Sequence, residues 1–420
     1  MPSIARPGRA GKWCWPEPSM NLFSSAVARQ AMLNQTSGKL LVTAGYYCAF
    51  IAIGLVLTSL SPTLLGLSRQ TQSSLSEVSI LFTTRSMGFL LTALLGSRLY
   101  DRFPGHPLLI GALVLVALTM ALVPLVPLLW LLASLFLFMG IVEGMIDVGG
   151  NTLIVWLHRD KVGPFMNGMH FAFGVGAFIA PIIISQSLLY SGGIAWGYWM
   201  IALLILPVAL LFFWLPSPIP ERLADGVMAP PAQTALVGLI ALFFFLYVGI
   251  EASFGGWIAT YAVTLGLAPE ATAGYLTSAF WVALTIGRLL SVPIATRLRP
   301  RTILLSDLLG GLASLILLLL WPTSLTVIWI GALGLGLSIA SAFPTTLALA
   351  ERNMTVTGGT TGWFFVGASL GGMSIPWLVG QLFESISPFA FLWTVGLVLV
   401  LAIGVYMAMM AWINRGVRPG

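Results

Sequence analysis

The chain has 420 residues, of which 58% are hydrophobic and only 8% charged, against roughly 25% charged in a soluble domain. It has too few polar side chains to cover a water-facing surface, so a soluble globular fold is excluded. The formal net charge of +6 does not point to nucleic acid, because the basic residues form no cluster interleaved with aromatics.

Residues 1–38 are polar, basic and rich in Pro, Gly and Ser. They lack the apolar stretch and small-residue cleavage site of a signal peptide, and a disordered cytoplasmic tail is expected. From there, apolar segments recur near 40–66, 77–99, 107–126, 128–156, 164–189, 194–215, 234–264, 270–296, 302–321, 325–350, 360–383 and 387–413. Each is long enough to cross a hydrocarbon core of about 30 Å as a helix. The cysteines, Cys14 and Cys48, fall in the tail and in the first segment, so no structural disulfide is expected. His106, His158 and His170 show no metal-ligand spacing, and no metal or cofactor is expected.

Lys and Arg orient the spans. With both termini in the cytoplasm, the inner segments hold Lys39, Arg98, Arg102, Arg159, Lys161, Arg222, Arg297, Arg299, Arg301, Arg352, Arg415 and Arg418, whereas the outer loops hold Arg69 alone. Arg85 and Arg288 lie within spans. The plasma (inner) membrane is the expected location.

The two halves of the chain echo each other. "GFLLTALLGSRLYDR" (88–102) matches "GRLLSVPIATRLRPR" (287–301) at a shift of 199 residues. "GAFIAP" (176–181) matches "GGMSIP" (371–376) at 195, and "TLIVWLHRD" (152–160) matches "TLALAERN" (346–353) at 194. These pairs fall on spans 2 and 8, 5 and 11, and 4 and 10. The predicted fold is an all-α polytopic membrane protein with two parallel six-helix halves, 39–215 and 234–413. A cytoplasmic linker, 216–233, joins them, and 414–420 forms the C-terminus.

Parallel six-helix halves are the arrangement of the major facilitator superfamily, whose substrate site lies at the midplane between the halves. "SRLYDRFPGHP" (97–107) also resembles that superfamily's loop signature, with Ser97 at the small position and Pro104 at the usual Gly. The resemblance implies a gate in which Asp101, beside Arg102, pairs with Arg159 while the cytoplasmic side is closed. Arg297 or Arg299 with Glu351 would be the counterpart in the second half.

A charge inside the bilayer costs roughly 2.5–3.5 kcal/mol on insertion scales and usually faces a cavity or a partner. The spans carry Arg85, Glu143, Asp147, Glu251, Arg288 and Asp307. Asp307 is expected to pair locally with Arg288 or Arg297. Glu143, Asp147 and Asn151 stand four residues apart on one helical stripe, about 6 Å per step. Two carboxylates this close repel when both are ionised, which favours uptake of a proton or coordination of sodium. "YVGIEASFGGWIATY" (247–261) places Glu251 deep in span 7, and "MNGMHFAFGVGAFIAP" (166–181) places Asn167 and His170 in span 5. Trp257, Trp281 and Trp363 could stack on a sugar face, although packing or interface anchoring is the commoner use of such residues.

At these residues the chain resembles one branch of the superfamily: the fucose:proton symporters, the bacterial glucose/galactose transporters and the sodium-dependent glucose transporters. The similar features are the 97–107 loop, Asp147 with Asn151 on span 4, and the Tyr-Val-Gly-x-Glu run from Tyr247 to Glu251. "GLVLTSLSPTLLGL" (54–67) and "FWVALTIGRLL" (280–290) add to the likeness. The resemblance implies that spans 1, 4, 7 and 10 line a central cavity, with Asp147 as the span-4 acid of coupling or sugar binding. The acid that the fucose symporters carry in the first span is missing here, which leaves sodium as well as the proton open.

A secondary transporter is therefore expected, moving a small polar solute such as a sugar by alternating access coupled to H⁺ or Na⁺, as a monomer in the lipid bilayer. An exporter of amphipathic compounds and a non-transporting receptor are the alternatives. No enzyme is expected, since neither a nucleophile–base arrangement nor a GxxxxGK[ST] stretch is present.

Overall fold

The computed structural model describes residues 33, 35–218, 234–356 and 358–416. Most of the predicted tail and most of the 216–233 linker fall outside them. Among the described residues, twelve helices are long and apolar enough to cross a membrane: Thr36–Thr71, Leu75–Leu95, Gly105–Leu125, Leu129–His158, Val162–Ser191, Ala195–Trp214, Thr234–Thr264, Glu270–Ala295, Pro300–Leu320, Leu325–Asn353, Thr360–Ser385 and Ala390–Asn414. They are numbered here as spans 1 to 12. The connection between spans 2 and 3 and those between 4 and 5, 8 and 9, and 10 and 11 lie at one end of the bundle, the basic end. The connections between spans 1 and 2 and between 7 and 8 lie at the other, the far end.

Local chemistry explains where the spans break. Span 1 is helical over Thr36–Thr58, tightens into a 3₁₀ turn at Ser61–Thr63 and resumes at Leu64–Thr71. Pro62 sits at the start of that turn and lacks an N–H for the ladder. Ser59 Oγ donates to the Val56 carbonyl at 2.8 Å, and Thr63 Oγ1 to the Ser59 carbonyl at 2.9 Å. Pro181 in span 5 likewise removes the donor that Ala177 would have met; Thr58 Oγ1 from span 1 fills that place at 2.7 Å. In hydrocarbon such replacement is obligatory, because water cannot supply it. Span 10 is divided into Leu325–Ile339 and Ala342–Asn353. Pro344 has no N–H for the Ala340 carbonyl four residues back, which places the break.

Within each half, glycines let backbones meet. A Cβ on Gly54 or Gly176 would collide with the main chain of the facing helix, joining spans 1 and 5. Gly88 and Gly140 do the same for spans 2 and 4. In the second half, Gly367 and Gly371 join spans 7 and 11, while Gly287 and Gly336 join spans 8 and 10. The first helix of each half thus meets its fifth, and the second its fourth. Small residues are the usual means of close helix contact in membranes, where apolar burial gives no net drive between helices. The sequence echoes carry this packing: Gly88 corresponds to Gly287, and Gly176 to Gly371.

The halves meet along spans 2 and 11 and spans 5 and 8. Polar contacts between them gather at the far end. Arg69 Nη2 reaches both oxygens of Glu270 at 2.6 and 2.7 Å. The Ser76 amide donates to Glu384 at 2.9 Å and its hydroxyl to Gln381 at 2.8 Å. Ser61 and Thr277 share a hydrogen bond of 3.0 Å, and Gln186 donates to the Tyr275 hydroxyl at 2.6 Å. At the basic end, Arg102, Asn167, Arg297, Arg299 and Glu351 are exposed. The bundle is fastened at the far end.

The glycine contacts generate a test. Gly140→Ala puts a methyl group on the Arg85 carbonyl and forces spans 2 and 4 apart, an overpacking cost of about 1–3 kcal/mol. The expected result is a lower melting temperature of the detergent-solubilised protein, and an unchanged one would contradict the close contact.

Candidate functional site

Span 4 carries the stripe of Glu143, Asp147 and Asn151, and the structure gives its members different roles. Glu143 is only 2% exposed. Its carboxylate receives Arg85 of span 2 in a two-pronged ion pair, with Arg85 Nε at 2.8 Å from Oε2 and Nη2 on Oε1. Arg85 Nη1 also donates to the Leu57 carbonyl of span 1 at 2.7 Å. Glu143 is therefore neutralised, and the expected repulsion between it and Asp147 is replaced by an attraction across helices. The pair ties spans 1, 2 and 4 together.

Asp147 and Asn151 keep part of their surface exposed. Asn151 Nδ2 donates to the Asp147 main-chain carbonyl at 2.9 Å. Among the described residues, no cation forms an ion pair with Asp147. Tyr100, in the short helix Ser97–Arg102 outside the spans, donates its hydroxyl to the Met145 carbonyl at 2.7 Å. Burial raises the Tyr100 hydroxyl above the usual phenol range, and the nearby Asp147 carboxylate adds to it. Tyr100 also fills the space beside Gly149, where a Cβ would strike its ring.

The second half supplies Glu251 from span 7. Tyr247, one turn earlier, donates its hydroxyl to Glu251 Oε2 at 2.5 Å, and Arg288 Nη2 of span 8 approaches Oε1 at 3.8 Å. Arg288 is thus the partner of Glu251, which corrects the expectation that it pairs with Asp307. Asp307 instead accepts a hydrogen bond from Ser341 Oγ at 2.5 Å. His170 of span 5 lies within electrostatic reach of Arg288 and meets Phe50 of span 1 edge-on at 5.8 Å. Tyr247, Glu251 and Arg288 thus form one polar group within the second half. No hydrogen bond joins Asp147 to Glu251.

The tryptophans divide. Trp281 is 5% exposed and meets Phe173 edge-on at 6.1 Å, in the seam of spans 5 and 8. Trp257 is fully buried, donates to the Pro376 carbonyl at 3.0 Å and packs between Phe82 and Phe383. In this conformation it is a packing residue of the far end. Trp363 is 63% exposed near the basic end of span 11. Asn167 is exposed at the same end, apart from the polar group. No ion pair joins Arg297 or Arg299 to Glu351, and the Asp101 side chain lies outside the described residues. Arg159 is exposed, with a left-handed φ of 50° at the end of span 4.

Sequence reasoning missed Arg85 and Arg288 as the partners of the two glutamates. The signal was present, because an intramembrane charge calls for an opposite one. Asp147 and Glu251 are thus acceptors, and Asn151, Arg288 and His170 donors, that keep part of their surface exposed within the spans.

The buried pair is open to test. Glu143→Ala strands Arg85 in the interior and is expected to cost about 3–5 kcal/mol, whereas replacing both members with leucine restores most of the loss. Thermal denaturation checks this, and a single variant as stable as the native chain would contradict it.

A sequence profile for the Major Facilitator Superfamily matches residues 46–376. Sodium-dependent glucose transporter 1 of Xenopus laevis is 32% identical over 354 residues, covering 77% of this chain and 72% of that protein. Sodium-dependent glucose transporter 1A of Mus musculus is 30% identical, covering 80% of this chain and 88% of its own length. Among solved structures, that of the nucleoside transporter NupG superposes with a TM-score of 0.70 at 13% identity, covering 89% of this chain and 99% of that one. The chain belongs to the major facilitator superfamily.

Proposed function

We propose that this protein is a cation-coupled importer of a small polar solute of the hexose type, working by alternating access. The observation that carries this reading is Asp147. It is a carboxylate inside a membrane span, partly accessible and without a cation partner among the described residues. Such a group is retained at a cost of several kcal/mol and points to an ion or solute pathway. Asn151 beside it and the Glu251–Arg288 group of the other half offer matched donors and acceptors. The similarity to the sodium-dependent glucose transporters supports the hexose class and a cation gradient as the driving force.

In this reading the basic end faces the cytoplasm, in accord with the positive-inside rule, and both termini lie there, in the plasma (inner) membrane. The conformation is inward-facing, with the extracellular side fastened by Arg69–Glu270 and the Ser76–Gln381–Glu384 group. The units 39–215 and 234–413 rock against each other. When the cytoplasmic side closes, Asp101 engages Arg159, and Glu351 engages Arg297 or Arg299. A monomer suffices, because each half contributes to one central site.

The test is uptake into proteoliposomes. Asp147→Asn is expected to reduce gradient-driven accumulation of radiolabelled glucose at least tenfold, while exchange of internal for external glucose continues. Accumulation at the native rate in this variant would sink the assignment of Asp147.

A further inference from the structure

His106 is a buried polar side chain that the transport reading leaves unused. It is 2% exposed at the start of span 3, just beyond the short helix Ser97–Arg102. Both ring nitrogens and the main-chain amide are engaged. Nδ1 lies 3.0 Å from the Leu215 carbonyl, and Nε2 lies 3.0 Å from the Tyr46 hydroxyl of span 1. A carbonyl only accepts, so Nδ1 carries the ring proton and Nε2 of the neutral ring accepts from Tyr46. The His106 amide is one of the first-turn donors that a helix cannot satisfy by itself, and it donates to Ser217 Oγ at 3.3 Å.

Leu215 and Ser217 lie just past the end of span 6, where the connection between the halves begins. Leu215 is extended, with φ −83° and ψ 138°, and Pro216 and Pro218 are buried. Pro216 has no N–H for the Phe212 carbonyl, so span 6 stops here and contacts set the course of the chain. The Leu215 side chain packs on Gly45 of span 1, where a Cβ would stand 2.8 Å from Cδ1. Phe212 stacks on Tyr46 at 5.8 Å and meets the His106 ring edge-on at 5.0 Å. On the other side of His106, Gly105 brings the chain against Leu153 of span 4, where a Cβ would stand 2.4 Å from Cδ2. One histidine thus joins the end of the 97–105 loop to the start of the linker.

We propose that His106 is a positioning residue that makes 215–218 a fixed part of the first half and ties the linker to the loop carrying Arg102. Its consequence for transport rests on the alternating-access reading given above. The linker is the covalent tie between the halves, and each rocking motion loads it. With His106 engaged, that load is shared by spans 1, 3 and 6, and the 97–105 loop keeps its place. The partners are Tyr46, Leu215 and Ser217 rather than the polar residues of spans 4, 7 and 8, so the clamp governs the rate of rocking and not the affinity for solute.

Two substitutions separate the bonds of the ring. An asparagine amide nitrogen falls near Nδ1 and keeps the donor to Leu215, whereas a glutamine amide reaches the Nε2 position and leaves Leu215 without its donor. Hydrogen exchange of the purified full-length protein is followed at 103–106 and 211–217 without solute, and uptake of radiolabelled glucose is measured in proteoliposomes. In His106→Gln, exchange in both segments is expected to rise roughly tenfold, the loss of one buried hydrogen bond. The maximal uptake rate falls severalfold while the half-saturating glucose concentration holds. In His106→Asn, exchange and rate stay within about twofold of the native values, because the bond to Leu215 remains. Native exchange in His106→Gln, faster exchange there with a native maximal rate, or an equal loss in His106→Asn overturns the proposal. Should both variants fail to fold, Ser217→Ala decides the matter, since it leaves the ring bonds and strips the cap from the His106 amide. Faster exchange at position 106 with a lower maximal rate is expected in it, and native values overturn the proposal. Absence of glucose uptake by the native protein counts against the hexose reading alone, because the exchange comparison is made without sugar.

Discussion

A charge inside hydrocarbon must find an opposite charge, a hydrogen-bonding partner or a polar cavity, and this constraint arranges the interior of the bundle. Each half satisfies it once by an arginine–glutamate pair between neighbouring spans, Arg85 with Glu143 and Arg288 with Glu251. The two pairs differ in kind. The first is buried and two-pronged, with a third bond to span 1, and acts as a fastener within its half. The second is looser, at 3.8 Å, only partly buried and shared with Tyr247. A loose, partly exposed pair costs less to open than a buried, two-pronged one.

With both arginines engaged, each half keeps within its spans one aspartate that forms no ion pair among the described residues: Asp147 in span 4 and Asp307 in span 9. The first accepts Asn151 on its main-chain carbonyl, and the carboxylate of the second accepts the Ser341 hydroxyl at the break of span 10. Just beyond that break, Phe343 packs its ring against Phe244 and Tyr247 of span 7.

Much of this was legible in the sequence. The twelve spans followed from apolar length, and the duplication from short echoes whose glycines prove to be the close-contact points of spans 2, 5, 8 and 11. The set of in-span charges could also be listed from the sequence, but their partners could not be assigned. Which charge meets which depends on the faces that spans present to one another, and Arg85 and Glu143 are 58 residues apart in the chain. The stripe of Glu143, Asp147 and Asn151 was correct as helical geometry, yet it could not reveal that span 2 would cover its first member. Trp257 shows the same limit, because an aromatic residue in an apolar run carries no mark of whether it packs or lines a cavity. The break in span 10 had a signal, Pro344, that apolar length concealed.

The duplicated halves are not mechanically equal. Span 4 runs unbroken from Leu129 to His158, whereas its counterpart, span 10, is jointed next to Ser341. One half is therefore a stiff lever and the other a lever with an elbow. The segment beyond the elbow has 12 residues, about 18 Å of helix at 1.5 Å per residue. A swing of about 20° there, the scale of a proline kink, carries its tip through roughly 6 Å, about the width of a sugar ring. Opening and closing at that end can thus be shared between motion of a whole half and bending of a single arm, and only the second half has the arm.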